Sequence, residues 1–185
     1  MKSASLLGLG LVVTAVVLRQ SSNGAAAGPC APSGELDADE TRLVELVNNY
    51  RAEHGLGALQ LSPTLSRAAT WMGEDMAARG YFSHTDSLGR APYNRAIDCG
   101  YPSGAGENLA AGYPTPEAAF EGWKASPGHN ANMLTSDYRV IGVAVVRGGQ
   151  YGTYWVTNFG LHIERIVVLP FPYRLTLSGV AREVE

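Results

Sequence analysis

The chain has 185 residues, of which 45% are hydrophobic, 17% are charged and 9% are aromatic, and its formal net charge at pH 7 is -3. This charge excludes a general nucleic-acid binder, because such proteins need dense Lys and Arg to displace counterions from phosphates. The apolar fraction excludes a disordered chain. The length predicts one compact domain with a hydrophobic core of its own.

The first 27 residues have the composition of a secretory signal peptide. Lys2 supplies a positive charge, Leu6–Leu18 is an apolar run of 13 residues, and Ala25–Ala27 offers small residues for cleavage. A transmembrane helix needs about 20 apolar residues, so this run is too short. An uncleaved anchor is the alternative, because Arg19 directly follows the apolar run. We expect export, with no membrane span after cleavage, or association with the cell envelope if the signal is uncleaved.

Export makes Cys30 and Cys99 a candidate disulfide, since exported proteins fold in an oxidising compartment. The bond would tie the mature N-terminus, a linker over residues 28–38, to the middle of the domain. Two unpaired thiols are the alternative. The sequence contains no CxxC motif or Cys/His cluster, so it gives no support for a structural zinc site.

Apolar periodicity and capping residues predict several helices. The second helix, for example, should turn Leu65, Ala68, Ala69, Met72 and Met76 towards a core. The predicted helices run from Asp39 to Gly55 (with Asp37 or Asp39 as the cap), from Ser62 to Gly80, from Pro92 to Cys99, from Thr115 to Ala125 and from Ser126 to Leu134. The rest of residues 81–114 is predicted to be loop.

The periodicity changes after residue 138. Arg139–Arg147 is a β-branched apolar run, Gly148-Gly149 predicts a turn, and Tyr151–Phe159 is rich in aromatic residues and Thr, which together predict a β-hairpin. The first strand is apolar on both faces and should be covered on both sides. We therefore predict an α+β fold, a three-layer α-β-α sandwich. Residues 161–185 form a C-terminal extension in which Ile163–Leu169 is a candidate strand.

Three polar residues from separate segments are candidates for one site. His84 lies in a loop after the second helix, Glu107 lies in a glycine-rich apolar stretch, and His129 begins a short helix. A buried carboxylate at Glu107 would need a partner, because an unpaired one is costly. Convergence on a cleft is the hypothesis, and three separately satisfied polar residues are the alternative. His54 sits at a helix end, where a cation interacts favourably with the helix dipole.

Six collinear blocks resemble the CAP superfamily, which comprises cysteine-rich secretory proteins, antigen 5 and pathogenesis-related 1 proteins. The resemblance covers about Thr41 to Gly160, so we expect a CAP domain over residues 39–160 and the same α-β-α sandwich. The blocks are Val47–Arg51, the Leu59, Leu65 and Ala69 ladder, Phe82–Thr85, Gly106–Leu109, Trp123 with Ser126–His129, and Tyr154–Phe159.

The resemblance implies a central cavity lined by two His and two Glu, where the histidines of some members take a divalent metal. His84, Glu107 and His129 match three of these positions, and Ser126 stands where the second Glu of eukaryotic members would be. This shorter Trp-x-x-Ser-Pro-Gly-His form resembles the bacterial branch. A divalent metal such as zinc at His84 and His129 is an expectation drawn from the resemblance alone.

The leading functional hypothesis is a secreted, monomeric, non-enzymatic binding module. The resemblance implies a lipid or sterol, or a partner molecule, as its ligand. The alternative is an extracellular hydrolase, in which two histidines and an acid hold a zinc-activated water, or His84 serves as the base for a hydroxyl such as that of Ser126. Neither the HExxH nor the GxSxG motif occurs in the sequence. A third hypothesis is a cell-envelope interaction domain whose surface loops contact wall polymer or a host protein.

Overall fold

The computed structural model describes residues 30–31 and 34–164. The predicted signal peptide and most of the C-terminal extension, including residues 165–169 of the candidate strand, lie outside them. None of the helices in the described part is long and apolar enough to cross a membrane. The elements are α1 (Ala38–Glu53), β1 (Gln60–Leu61), α2 (Pro63–Arg79), α3 (Pro92–Asp98), β2 (Gly106–Ala111), α4 (Pro116–Ala125), α5 (Pro127–Leu134), β3 (Val140–Arg147) and β4 (Thr153–Gly160).

Side-chain caps fix the starts of α1, α2 and α4. The Asp37 carboxylate accepts from the Glu40 N–H and the Glu40 carboxylate accepts from the Asp37 N–H, which is a complete capping box. The Ser62 hydroxyl accepts from the Leu65 N–H at the start of α2, and the Thr115 hydroxyl accepts from the Ala118 N–H at the start of α4. Proline follows each of these caps. Ser126 precedes Pro127 at the start of α5 but makes no capping bond.

The four strands form one mixed sheet in the order β1-β3-β4-β2. The predicted hairpin is present: β3 and β4 pair antiparallel, with Val140 opposite Gly160. β2 pairs antiparallel with β4 and forms one edge of the sheet, while the two-residue β1 runs parallel to β3 at the other edge. The central β3 is buried from Val140 to Val145, as its apolar sequence predicted.

Helices cover both faces of the sheet, so the predicted three-layer α-β-α sandwich is confirmed. On one face α2 packs against alternate residues of β3 and β4, with Ala69, Met72, Met76, Ala144 and Val156 in one cluster. On the other face α1, α4 and α5 pack against the intervening residues, with Leu43, Val47, Phe120, Trp123, Met133, Ile141 and Trp155 in another. Cys30 and Cys99 form a disulfide, with 5.0 Å between their Cα atoms.

The loop prediction for residues 81–114 is wrong at Gly106–Ala111, which form β2. The stretch carries no strict alternation of polar and apolar residues, and its extended conformation depends on pairing with β4, which is distant in sequence. The short β1 was likewise not predicted. The first helix starts at Ala38, one residue before the predicted start, because Asp37 is the cap.

Candidate functional site

The loop that carries His84 is held by a buried carboxylate on α2. Asp75 accepts hydrogen bonds from the Tyr81 hydroxyl at 2.5 Å, the Ser87 N–H at 2.8 Å and Arg79 Nε at 2.7 Å. Desolvation opposes ionisation of Asp75, but these bonds outweigh it and lower its pKa. The carboxylate therefore anchors the loop on both sides of His84.

A second buried carboxylate closes the same loop two residues after His84. Asp86 accepts from Trp71 Nε1 at 3.0 Å and from Arg90 Nε at 2.9 Å. It also accepts from the backbone N–H groups of Leu88 and Arg90, at 3.0 and 2.8 Å. These bonds fix the backbone that follows the histidine.

His84 contacts the Glu107 carboxylate, and Arg95 neutralises that carboxylate. The 2.8 Å contact joins His84 Nδ1 to Glu107 Oε1, while the guanidinium of Arg95 pairs with Glu107 Oε2. The side chains of Glu107 and Arg95 are 1% and 0% exposed, whereas that of His84 is 55% exposed. An ionised carboxylate only accepts hydrogen bonds, so Nδ1 of His84 carries the proton. In the neutral form of the ring, Nε2 then keeps its lone pair and can accept a hydrogen bond.

An amide pair joins α5, which carries His129, to β2. Asn108 Nδ2 donates to the His129 carbonyl at 3.0 Å, and Asn132 Nδ2 donates to Asn108 Oδ1 at 2.9 Å and to the Glu107 carbonyl at 3.1 Å. Burial lowers the pKa of His129, and the nearby His84 lowers it further. The structure thus brings His84 against Glu107 and sets His129 on the adjoining helix.

A cavity of about 390 Å³ opens beside β2. Most of its walls are apolar or aromatic, and Ser126 and His129 supply polar groups to it. His84 and Glu107 are not among the lining residues, so the cavity and the His84–Glu107–Arg95 cluster adjoin without coinciding. The lining residues are Phe82, Leu109, Ala110, Ala111, Tyr113, Gly122, Trp123, Ser126, His129 and Tyr151.

Arg95 is the main site residue that the sequence analysis missed. A buried Glu107 was expected to need a partner, and α3 supplies it from 12 residues earlier. Arg95 stands beside Ala96 on a seven-residue helix, and both are fully buried. Helical spacing on so short a helix would not have distinguished it from a solvent-exposed arginine.

The candidate site offers fewer metal ligands than a typical protein zinc site. His84 and His129 supply two imidazoles, whereas protein zinc sites use three or four protein ligands. In the part of the chain that the structure describes, no group of three or more His, Cys, Asp or Glu could hold a metal ion. Both oxygens of Glu107 are engaged, and Ser126 adds no negative charge.

The model of the CAP cysteine-rich secretory protein family matches residues 44–159. The uncharacterized protein YkwD of Bacillus subtilis is 37% identical over 131 residues, which are 70% of this chain and 49% of the relative. The uncharacterized membrane protein YlbC of the same bacterium is 35% identical over 122 residues, which are 65% of this chain and 34% of the relative. The chain thus spans about half or less of these curated relatives.

Two solved structures have a similar fold. An extracellular protein with an SCP domain from Bacillus anthracis is 28% identical, with a TM-score of 0.58 over 69% of this chain and 44% of that one. An outer surface protein from Borrelia burgdorferi is 22% identical, with a TM-score of 0.62 over 68% of this chain and 95% of that one, which shows the fold alone. With the family match over more than half of its length, the chain belongs to the CAP family of cysteine-rich secretory proteins.

Proposed function

We propose that the protein is an exported, monomeric, non-enzymatic binding module that holds the apolar part of a ligand in the cavity beside β2. The observation that carries the proposal is the cavity itself, about 390 Å³ in volume, with aromatic walls. Ligand sites are concave and mainly apolar, span about 300–1,000 Å³, and carry a few polar groups that orient the ligand. Ser126 and His129 supply such groups here.

Export is supported by the predicted signal peptide and by a protein of similar structure. The B. anthracis neighbour is an extracellular protein. The disulfide between Cys30 and Cys99 also suits an oxidising compartment. The candidate ligands are a lipid or sterol, which the family resemblance implies, and a cell-envelope or host component, which an exported protein can reach.

The polar cluster next to the cavity is proposed to meet the polar end of the ligand. The exposed imidazole of His84 offers Nε2 as an acceptor, because Glu107 holds the opposite nitrogen. A divalent ion at this place would be held by His84 and His129 alone, so its occupancy would be low and would fall as the imidazoles become protonated. Native mass spectrometry with and without a chelator tests that expectation.

Thermal unfolding with and without defined probes tests the binding function. Oleate, cholesterol and a capped Ala-Phe-Ala-Phe tetrapeptide each present apolar groups that the cavity could take. A probe at about 100 times its Kd stabilises the folded state by about 2.7 kcal/mol, which raises the Tm by roughly 5–10 °C for a domain of this size. No shift with any of the three probes would contradict the proposal.

Two matched variants locate the binding. Phe82 lines the cavity and is 45% exposed, whereas Leu88 lies in the same loop outside the cavity and is 57% exposed. Phe82→Ala should reduce the ligand-induced rise in Tm, while Leu88→Ala should leave it unchanged. Equal losses in both variants would place the ligand elsewhere.

The second candidate function is an extracellular hydrolase, favoured by one observation. The 2.8 Å contact from Glu107 to His84 Nδ1 orients the imidazole as a general base needs. Hydrolysis of p-nitrophenyl acetate should then disappear in His84→Gln and persist in His54→Gln, a control at the exposed end of α1. Equal rates in wild type and His84→Gln would remove this candidate.

A further inference from the structure

Among the described residues no strand pairs with the outer edge of β2, and the cavity lies along this free edge rather than on a face of the strand. β2 is an outer strand of the sheet. Leu109, Ala110 and Ala111 all line the cavity, although successive side chains of a strand point to opposite faces. Three consecutive residues can border one cavity only if the cavity lies along the edge of the strand, where backbone N–H and C=O groups point outward.

The register of the sheet identifies which backbone groups of β2 point away from β4. The Gly112 N–H donates to the Thr153 carbonyl at 2.9 Å, so this pair, and every second pair before it, bonds β2 to β4. The intervening residues, Glu107, Leu109 and Ala111, therefore direct both backbone groups away from β4. Two hydrogen bonds from side chains confirm this direction. Trp123 Nε1 donates to the Leu109 carbonyl at 3.0 Å, and Asn132 Nδ2 donates to the Glu107 carbonyl at 3.1 Å.

Side chains also bond outward backbone groups of β3. On β3 the Val143 N–H donates to Ser66 Oγ at 3.2 Å, and the Val145 N–H donates to the Glu40 carboxylate at 3.1 Å. On β2, within residues 34–164, no hydrogen bond reaches the N–H of Leu109 or either backbone group of Ala111. Three backbone groups of β2 thus have no hydrogen-bond partner among the described residues.

We propose that the ligand of this cavity is an extended peptide, which adds to β2 as a further strand. Its main chain would exchange two hydrogen bonds with Ala111 and give one carbonyl acceptor to the Leu109 N–H, while the Leu109 carbonyl between these positions stays bonded to the Trp123 indole. The two N–H groups lie about 6.6–6.8 Å apart, two residues along a strand, which is the repeat of an extended main chain. Phe82 and Tyr151 on the cavity walls would contact its side chains. The inference rests on the proposed function, because it concerns the same cavity.

Backbone amide signals of the full chain test this inference. The probe is the capped Ala-Phe-Ala-Phe tetrapeptide, and its control has the same sequence with N-methylated amides. The tetrapeptide should shift the Leu109 and Ala111 amide signals and slow their hydrogen exchange, while the N-methylated control should bind at least fivefold more weakly. A free peptide and a segment of a longer protein offer the same groups, so the tetrapeptide is also embedded in a flexible 20-residue chain. Retained binding of the longer probe indicates that a protein segment fits, and its loss limits the ligand to short peptides.

One substitution removes a donor without disturbing the sheet. Proline is tolerated on an edge strand where the N–H points away from the ladder, so Ala111→Pro should fold while losing one donor and placing its ring at the free edge. It should weaken tetrapeptide binding at least tenfold, whereas Ala111→Ser, which keeps the N–H, should change it less than twofold. Should Ala111→Pro fail to fold, the amide shifts and exchange rates of wild type decide alone.

The proposal of a peptide ligand would be overturned if the Leu109 and Ala111 amide signals do not change at about 1 mM tetrapeptide. This concentration is high enough to detect binding with a Kd near 1 mM. Equal affinity for the N-methylated control would also overturn the proposal, since strand addition requires the main-chain amides. If oleate or cholesterol still raises the Tm in that case, the proposed function stands with a lipid as ligand. If no probe raises the Tm, the proposed function fails as well.

Discussion

Replacement of Arg95 by Met should be the most damaging single change at the candidate site. The Arg95 side chain is 0% exposed and pairs with Glu107, which is 1% exposed. Met keeps much of the length and packing of Arg but removes the charge. The Glu107 carboxylate would then be left buried with His84 Nδ1 as its remaining charged or polar side-chain contact. Removing one partner of a buried ion pair costs about 3–5 kcal/mol of unfolding free energy.

Urea unfolding at pH 7 measures this cost. With an m-value of about 1–3 kcal/mol/M, the midpoint of Arg95→Met should fall by roughly 1–5 M, or the protein should not fold. The double variant Arg95→Met/Glu107→Gln removes both charges and should recover part of the loss. Its stability distinguishes the loss of a counter-charge from the loss of packing.

Arg147→Met is the matched control. The Arg147 side chain is 54% exposed and pairs with Asp37, which is 44% exposed. Exposed pairs contribute about 0–1 kcal/mol, so this variant should lie close to wild type. If Arg95→Met costs no more than Arg147→Met, the buried ion pair does not hold the site together and the reasoning is refuted.

Three further predictions concern stability. Gly142→Ala should lower the free energy of unfolding in urea by about 1–3 kcal/mol or more, because the added Cβ would overlap the backbone of Leu65 and Ser66 on α2. Gly128→Ala is the control, because its Cβ meets open space. Equal effects of the two substitutions would contradict the packing of α2 on β3. Replacing Cys30 and Cys99 together by Ser should cost about 4 kcal/mol through loss of a cross-link spanning 69 residues, and an unchanged urea midpoint would refute it. Asp75→Asn should destabilise at pH 7 by about 1–3 kcal/mol. The pKa of Asp75 is lowered in the folded state, so its carboxylate stabilises the fold fully above the unfolded pKa of about 4. This stabilisation is lost as the pH falls through the folded-state pKa, so the urea midpoints of wild type and Asp75→Asn should converge in acid. A midpoint difference that stays constant down to about pH 2 would contradict this sign.

Local chemistry made the helices predictable. Asp37, Ser62 and Thr115 are capping residues whose side chains bond the next turn, and these contacts lie within three residues of sequence. The β-branched run of β3 likewise indicates a strand that is buried on both faces. The layer order follows from these patterns, because both faces of such a strand require cover.

Long-range contacts were beyond the same reasoning. Gly106–Ala111 become a strand only through pairing with β4, more than 40 residues later in the chain. The resemblance of their segments to a known family predicted that His84 and Glu107 share a site, but it did not indicate the role of Arg95. The position of Arg95 depends on how α3 packs against β2, and the free edge of β2 depends on the order of the strands in the sheet. Neither feature is encoded in a local sequence pattern.

The most direct test of the cavity as the ligand site is an NMR titration that follows the tryptophan indole signals. Trp123 lines the cavity and donates its indole N–H to the Leu109 carbonyl at 3.0 Å, whereas Trp71 donates to Asp86 and does not line it. Oleate or the capped tetrapeptide, whichever binds, should shift the Trp123 indole signal and leave that of Trp71 in place. Binding measured by calorimetry with an unmoved Trp123 signal would contradict the account.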